Sequence, residues 1–318
     1  MKKIYIILLA LVFFTACKRD KGVDLRQEMR KFVIEISQYA KQRNSNFVVI
    51  PQNGVELVKM GDEGAEVLAS DYLAAIDGHG QESLFYGYDK DDIATPANES
   101  DYLKSYLDCS KVLGKIILVT DYCSTSSKVS DSYSKNSNSG YVSFATNSRN
   151  LDCIPPPPVM CENADSIGKL ANVKNFLYLI NPETYDTKSA FISAVCATNY
   201  DALIMDLFFQ DGTAFSATEI EQLRKKANGG KRLVIAYMSI GEAEDYRYYW
   251  QSSWKPNKPK WLDKENPSWK GNYKVRYWNT EWKNIIYGNE NAYLDRILTA
   301  NFDGVYLDII DAFEYYER

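Results

Sequence analysis

Phe302-Asp-Gly-Val-Tyr-Leu-Asp-Ile-Ile-Asp-Ala-Phe313 reads as a buried β-strand followed by the start of a turn at 313–318. Val305 to Ile310 is apolar on both faces, as a parallel strand covered by helices on each side must be, and Asp308 stands near its end. At the other end of the chain, residues 25–43 read as a helix. Met29, Phe32, Ile36 and Tyr39 recur at helical spacing, and the last turn is basic. A barrel of alternating strands and helices ordinarily opens with a strand and closes with a helix, whereas this chain does the reverse. If residues 24–43 complete the βα unit begun at 302–312, the fold is an α/β (β/α)8 TIM barrel, circularly permuted so that the first helix completes the last unit. The usual closeness of chain ends permits this.

Between these ends strands and helices alternate, the signature of a parallel sheet with helices on its faces. Strand candidates are 47–51, 73–76, 115–122, 141–145, 176–180, 202–207, 233–240, 274–278 and 305–310. That is nine for eight places, so one is a surface extra. Residues 54–74 read as helical, 77–82 as a loop rich in glycine and carboxylates, and 123–139 as a loop or poor helix. Ser216 with Glu219 forms a capping box for a helix over 216–228, which Gly229-Gly230 ends. Residues 241–283 are irregular and aromatic. No convincing linker interrupts 24–318, which is read as one domain.

With 37 basic against 42 acidic residues the formal charge is −5, which argues against a nucleic-acid partner. His79 is the sole histidine, so a multi-histidine metal site is excluded and no metal is expected. Cys109, Cys123, Cys153, Cys161 and Cys196 form no CxxC pair; a Cys153–Cys161 disulfide is left open. Gly78-x-Gly80 lacks the third glycine and helix start of a phosphate-binding loop, so no cofactor is expected. A monomer is expected.

The first sixteen residues, MKKIYIILLALVFFTA, join two lysines to a short apolar run and small residues, as a secretion signal does. Phe14-Thr15-Ala16-Cys17 resembles a bacterial lipoprotein box. In that reading Cys17 is lipidated, 17–23 is a tether, and the protein is membrane-anchored in the cell envelope, facing periplasm or surface. The alternative is a plain secretory signal with Cys17 an ordinary residue.

Barrels present reacting groups at the C-terminal ends of strands. Four acidic clusters fit: Asp206; Glu242, Glu244 and Asp245; Asp308; and Glu82. Any one alone is more simply a carboxylate bonded to loop amides or an arginine. Together they fit glycosidic hydrolysis, which needs one carboxylic acid to protonate the leaving oxygen and one carboxylate as nucleophile or base. All six tryptophans fall between 250 and 282 among tyrosines; most read as a minicore, with one or two left for stacking on sugar rings.

Ala236 to Trp250, Trp261 to Trp278 and Phe302 to Phe313 resemble glycoside hydrolase family 114, the endo-α-1,4-polygalactosaminidase-like TIM-barrel proteins. Ile50-Pro-Gln-Asn-Gly54, Ile76-Asp-Gly-His-Gly-Gln-Glu-Ser-Leu-Phe-Tyr-Gly87 and Leu118-Val-Thr-Asp-Tyr122 are similar too. In the usual member the last three segments follow the Asp-Gly-Val strand; here they precede it, in agreement with the permutation. The resemblance implies Asp308 as nucleophile or charge stabiliser and Glu82 as general acid/base, acting on an amino-sugar polysaccharide. It implies Asp206, Glu242 and Tyr237 in the subsites. Asn53 and Gln52 are expected to bond hydroxyls or hold Glu82, and Tyr86 to lie beside it. His79 is either a modulator of Glu82 or sugar contact, or a loop histidine without a role. Arg247 and Arg276 are expected to order carboxylates, and Asp77 to cap a turn or to act. The rival reading is a catalytically inactive, glycan-binding lipoprotein on the same barrel. The separation of the two carboxyls discriminates: about 5–5.5 Å suits a retaining hydrolase, roughly 6.5–9.5 Å an inverting one.

Overall fold

The computed structural model describes residues 22–61 and 67–317. Cys17 and the leader lie outside the described residues. Among the described residues eleven strands follow in order: β1 (Val48–Pro51), β2 (Gly78–Glu82), β3 (Ile116–Tyr122), β4 (Val142–Thr146), β5 (Phe176–Tyr178), β6 (Ala202–Asp206), β7 (Leu233–Ser239), β8 (Glu242–Glu244), β9 (Leu262–Glu265), β10 (Asn272–Val275) and β11 (Gly304–Asp308). Eight of them are parallel neighbours. One ladder runs β1-β11-β7-β6-β5 and a second β2-β3-β4. A single parallel bridge, Gln52 to Gly80, links β1 to β2. At the far seam β4 packs against β5 without a ladder, so the hydrogen-bonded sheet does not close there.

The helices are α1 (Leu25–Arg43), α2 (Ser70–Ala75), α3 (Ala97–Val112), α4 (Ser126–Ser139), α5 (Lys188–Cys196), α6 (Ala217–Leu223), α7 (Thr280–Ile286), α8 (Tyr293–Thr299) and α9 (Phe313–Glu317). α1 starts where Asp24 accepts the Gln27 amide at 2.9 Å and carries Lys41 and Arg43 in its last turn, matching charge to the helix dipole at both ends. Its face of Met29, Phe32, Val33, Ile36 and Ala40 is wholly buried, and it packs on α2, α8 and α9. Arg26 pairs with Glu317 at 2.9 Å, which brings the first helix beside the segment that follows β11.

Several expectations are corrected. Residues 73–76 are not a strand: Leu73 and Ile76 are the buried face and end of α2. The strand of that unit is β2, in the stretch read as a loop; its Gly-His-Gly-Gln-Glu sequence has no strand former, and its neighbours impose the extended state. Residues 126–139 form a full helix despite their polarity, and α6 stops at Leu223. The surface extra is β10, which lies with β8 and β9 in a separate antiparallel sheet. Around it Trp250, Trp254, Trp261 and Trp282 pack edge to face or tilted with centroids 4.9–5.3 Å apart, a minicore; Trp269 is exposed. All five cysteines among the described residues are free, so Cys153 and Cys161 are not bridged.

Candidate active site

The ends of β1, β2, β7 and β11 bring five of the expected residues together. Gln52 follows β1, and its amide nitrogen donates both to Glu82 Oε2 at 2.9 Å and to Asp308 Oδ1 at 3.1 Å. One NH2 group thus spans the two carboxylates. Its own carbonyl accepts from the Tyr178 hydroxyl at 2.9 Å, which fixes the amide's orientation and keeps both N–H bonds on the acids. Tyr237, on β7, donates to Asp308 Oδ2 at 2.6 Å, and the Ile309 amide to Oδ1 at 2.8 Å. Glu82 receives the Tyr122 hydroxyl on Oε1 and Asn53 Nδ2, at 3.4 Å, on Oε2.

Asn53 is left-handed, with φ of 61°, and its side-chain oxygen accepts the Glu82 amide at 3.1 Å and Gln81 Nε2 at 3.2 Å. It ties the end of β1 to the end of β2, where hydrogen bonding between those strands is otherwise sparse. Asp121 on β3, fully buried, accepts the amides of Phe85 at 2.9 Å and Tyr86 at 3.1 Å. Ser132 and Asn136 of α4 bond its other oxygen. The turn that follows Glu82 is therefore held by a carboxylate in the layer beneath it.

Burial, then the nearby Glu82 charge, pushes Asp308 up to about 8, while the Tyr237 and Ile309 donors pull it down. Asp308 therefore holds its proton at neutral pH in the free protein. The Tyr122, Tyr178, Tyr237 and Tyr306 phenols are all raised well above the usual tyrosine range, chiefly by burial, so they act as donors and not as bases.

Other expected residues are placed elsewhere. Asp206, at the end of β6, is locked by Arg247 at 2.7 Å, and Arg247 also binds Glu244 at 2.5 Å, so the arginine does order carboxylates. Glu242 is wholly buried and paired with Lys274 at 2.6 Å, with Asn266 and Asn272 bonding it; it holds the antiparallel sheet and not the acid pair. Tyr86 points away, its hydroxyl on Asp131 at 2.6 Å. His79 is wholly buried behind the site, its Nε2 donating to the Asn53 carbonyl at 3.0 Å; burial pushes it down to about 4, so it is neutral and presents no surface to a sugar. Arg276 bonds the Lys260 carbonyl at 2.9 Å and lies 3.7 Å from Asp263. Asp77 bonds Lys41 at 2.9 Å and the Val49 amide at 2.9 Å, a fastening and not a reacting group. Tyr122 and Tyr178 were not singled out by sequence; their signal was a tyrosine at the end of an apolar strand. Among the described residues no group of three or more His, Cys, Asp or Glu side chains is arranged to hold a metal.

Residues 179–318 match the model of glycoside-hydrolase family GH114. The match covers 140 of the 318 residues. It runs from the end of β5 through β11, so Asp308, Tyr237 and Asp206 fall inside it while Glu82, Gln52 and Asn53 fall outside. Among curated relatives, uncharacterized proteins of Methanocaldococcus jannaschii, Thermotoga maritima and Deinococcus radiodurans are similar. The first is 44% identical over 158 residues, 49% of this chain and 42% of the relative. The second is 39% identical over 134 residues, 42% of this chain and 40% of the relative. The third is 42% identical over 127 residues, 40% of this chain and 38% of the relative. The matched stretch spans about two-fifths of each relative's length.

Proposed function

We propose that this protein hydrolyses α-linked amino-sugar polymers with Glu82 and Asp308 as its two carboxylates. The observation that carries the reading is the Gln52 amide bonded to both acids. Acceptors at 2.9 and 3.1 Å from one nitrogen stand at most about 6 Å apart, short of the roughly 6.5–9.5 Å of an inverting pair. That separation suits a retaining mechanism, in which Asp308 attacks the anomeric carbon and Glu82 protonates the leaving oxygen, then deprotonates the incoming water. In the free protein Asp308 holds its proton at neutral pH. An ammonium-bearing sugar brings a positive charge beside Asp308 and favours its ionised form, the one that attacks. The charge of the substrate thus prepares the catalytic protonation state.

The same proposal includes a circularly permuted (β/α)8 barrel. The family match begins at residue 179, close to the seam between β4 and β5 where the ladder is open, and the usual order would begin there. It also includes export and anchoring through Cys17, on the strength of the leader sequence alone.

The test is product release from partly de-acetylated galactosaminan and related polymers by the protein and by its Glu82→Gln and Asp308→Asn variants. Products that vanish in both variants, with the anomeric configuration retained, are expected. Products that persist in both would place the chemistry elsewhere than Glu82 and Asp308. Absence of products with saccharide binding retained makes this a glycan-binding barrel.

A further inference from the structure

A cavity of about 720 Å³ lies between α4 and the segment that follows β4, within the size range of small-molecule sites. It exists because the β4–β5 connection carries no α-helix, only a single 3-10 turn at Leu170–Asn172. Where a barrel helix would cover β4, a strap of Pro155 to Pro158 stands off, leaving a groove between the strap and α4. Ser126, Ser130, Ser134 and Ser137 of α4 line one side, all exposed. Among the described residues their hydroxyls have no partner within the protein. Tyr133, Tyr141, Tyr200 and the prolines make the remaining walls. Tyr133 accepts the Ala145 amide at 3.3 Å and keeps its own O–H for a ligand. The one charged residue lining the groove, Lys174, is already paired with Asp165 at 2.9 Å.

We propose that this groove is a second saccharide-binding site, which takes an uncharged, N-acetylated stretch of the polymer whose de-acetylated stretch enters the acidic cleft. A row of unspent hydroxyls facing flat tyrosine and proline walls matches a sugar, which has hydroxyls at its edge and C–H groups on its faces. The absence of free charge disfavours an ammonium-bearing unit, which the carboxyls of Asp308 and Glu82 favour. The two sites also adjoin. Tyr122, whose hydroxyl reaches Glu82, is followed by Cys123 and Ser124 at the upper end of the groove, and Asn147 just after β4 completes that end. From there the groove descends along α4, a helix of 14 residues and about 20 Å.

The choice of sugar rests on the hydrolase reading, whereas the existence of the site does not. Binding is measured by titration calorimetry on the full-length Glu82→Gln protein, with tetrasaccharides of α-1,4-linked N-acetylgalactosamine and of galactosamine. Ser130→Trp and Ser134→Trp, at exposed positions that leave the core untouched, fill the groove. The acetylated tetrasaccharide is expected to bind, and each tryptophan to raise its Kd by tenfold or more while leaving the galactosamine Kd within twofold. No binding of the acetylated probe overturns the proposal, as does binding that both tryptophans leave unchanged or that Asp308→Asn abolishes. If no polymer is hydrolysed but tryptophan-sensitive binding persists, the groove stands and the hydrolase reading falls.

Discussion

At Asp308 two influences oppose each other. Burial and the Glu82 charge favour the neutral acid, and the Tyr237 and Ile309 donors favour the carboxylate. Tyr237→Phe removes one donor and so raises the Asp308 titration. The alkaline limb of kcat/KM, expected near 8, therefore moves to higher pH, and kcat/KM at pH 6 falls about tenfold or more, since a hydrogen bond to a charged group contributes roughly 1.5–3 kcal/mol. A pH–rate profile with an unmoved limb would assign that limb to another group. Stability carries the same signature. The unfolded chain releases the Asp308 proton near 3.8, whereas the folded protein keeps it to about 8, so folding is most favoured below the first value and loses that contribution as pH rises through the second. Asp308→Asn removes this loss. Its thermal midpoint is expected to exceed the parent's at pH 8, by roughly 1–2 kcal/mol of stability, and to match it at pH 4, with activity abolished. A residual slope remains from Asp311, which burial and Glu314 push up to about 7. Equal midpoint gains at both pH values would count against a buried, protonated Asp308.

At the scale of elements, β2 explains both what the sequence disclosed and what it concealed. β3, β6 and β7 are legible because a strand buried on both faces is a continuous apolar run. β2 is not, since its inward positions are glycines chosen for space. A Cβ on Gly80 would lie 2.0 Å from the Tyr306 hydroxyl and 2.4 Å from its ring carbon, so the strand can pass Tyr306 only without a side chain there. Gly80→Ala is expected to cost about 1–3 kcal/mol by urea unfolding, and much less in a Tyr306→Ala background, where the obstruction is gone. Equal costs in the two backgrounds would mean that Tyr306 is not the obstruction. The acids themselves were legible because a carboxylate ending a strand stands out. Their bracing was not, since Tyr178 lies in a three-residue strand far from Gln52 in sequence, and only the fold joins them. Glu242 misled for the converse reason. It follows a long apolar strand as a catalytic acid would, yet its partner Lys274 lies on β10, a pairing that local spacing cannot reveal.

At the scale of the whole molecule, the order of elements and the order of space disagree at two places, and each accounts for the other. β11 pairs with β1 in a parallel ladder although 256 residues separate Val48 from its partner Gly304 in sequence.

 The start of α1 lies beside the segment that follows β11, and its end leads into β1 on the side where β11 begins. Conversely β4 and β5, neighbours in space and joined by residues 147–175, share no ladder. If the barrel is permuted, the bond between 24 and 317 is the one that the ordinary order would contain, and the 147–175 connection is the one it would lack. The Arg26–Glu317 pair and the Arg26 guanidinium, 4.9 Å from the centre of the Phe313 ring, bring the ends close enough to rejoin. The rearranged protein joins Glu317 to Asp24 through a short glycine-rich linker and opens between Pro156 and Pro157. Both prolines are exposed and neither has an N–H to lose, so the cut breaks no backbone donor. It is expected to fold with the parent's far-ultraviolet circular dichroism and to keep the parent's hydrolytic rate within a few-fold, because every residue around Gln52, Glu82 and Asp308 keeps its neighbours. A rearranged chain that fails to fold, while a control bearing the same linker as a C-terminal extension folds, would show that α1 and β11 are not one interrupted βα unit.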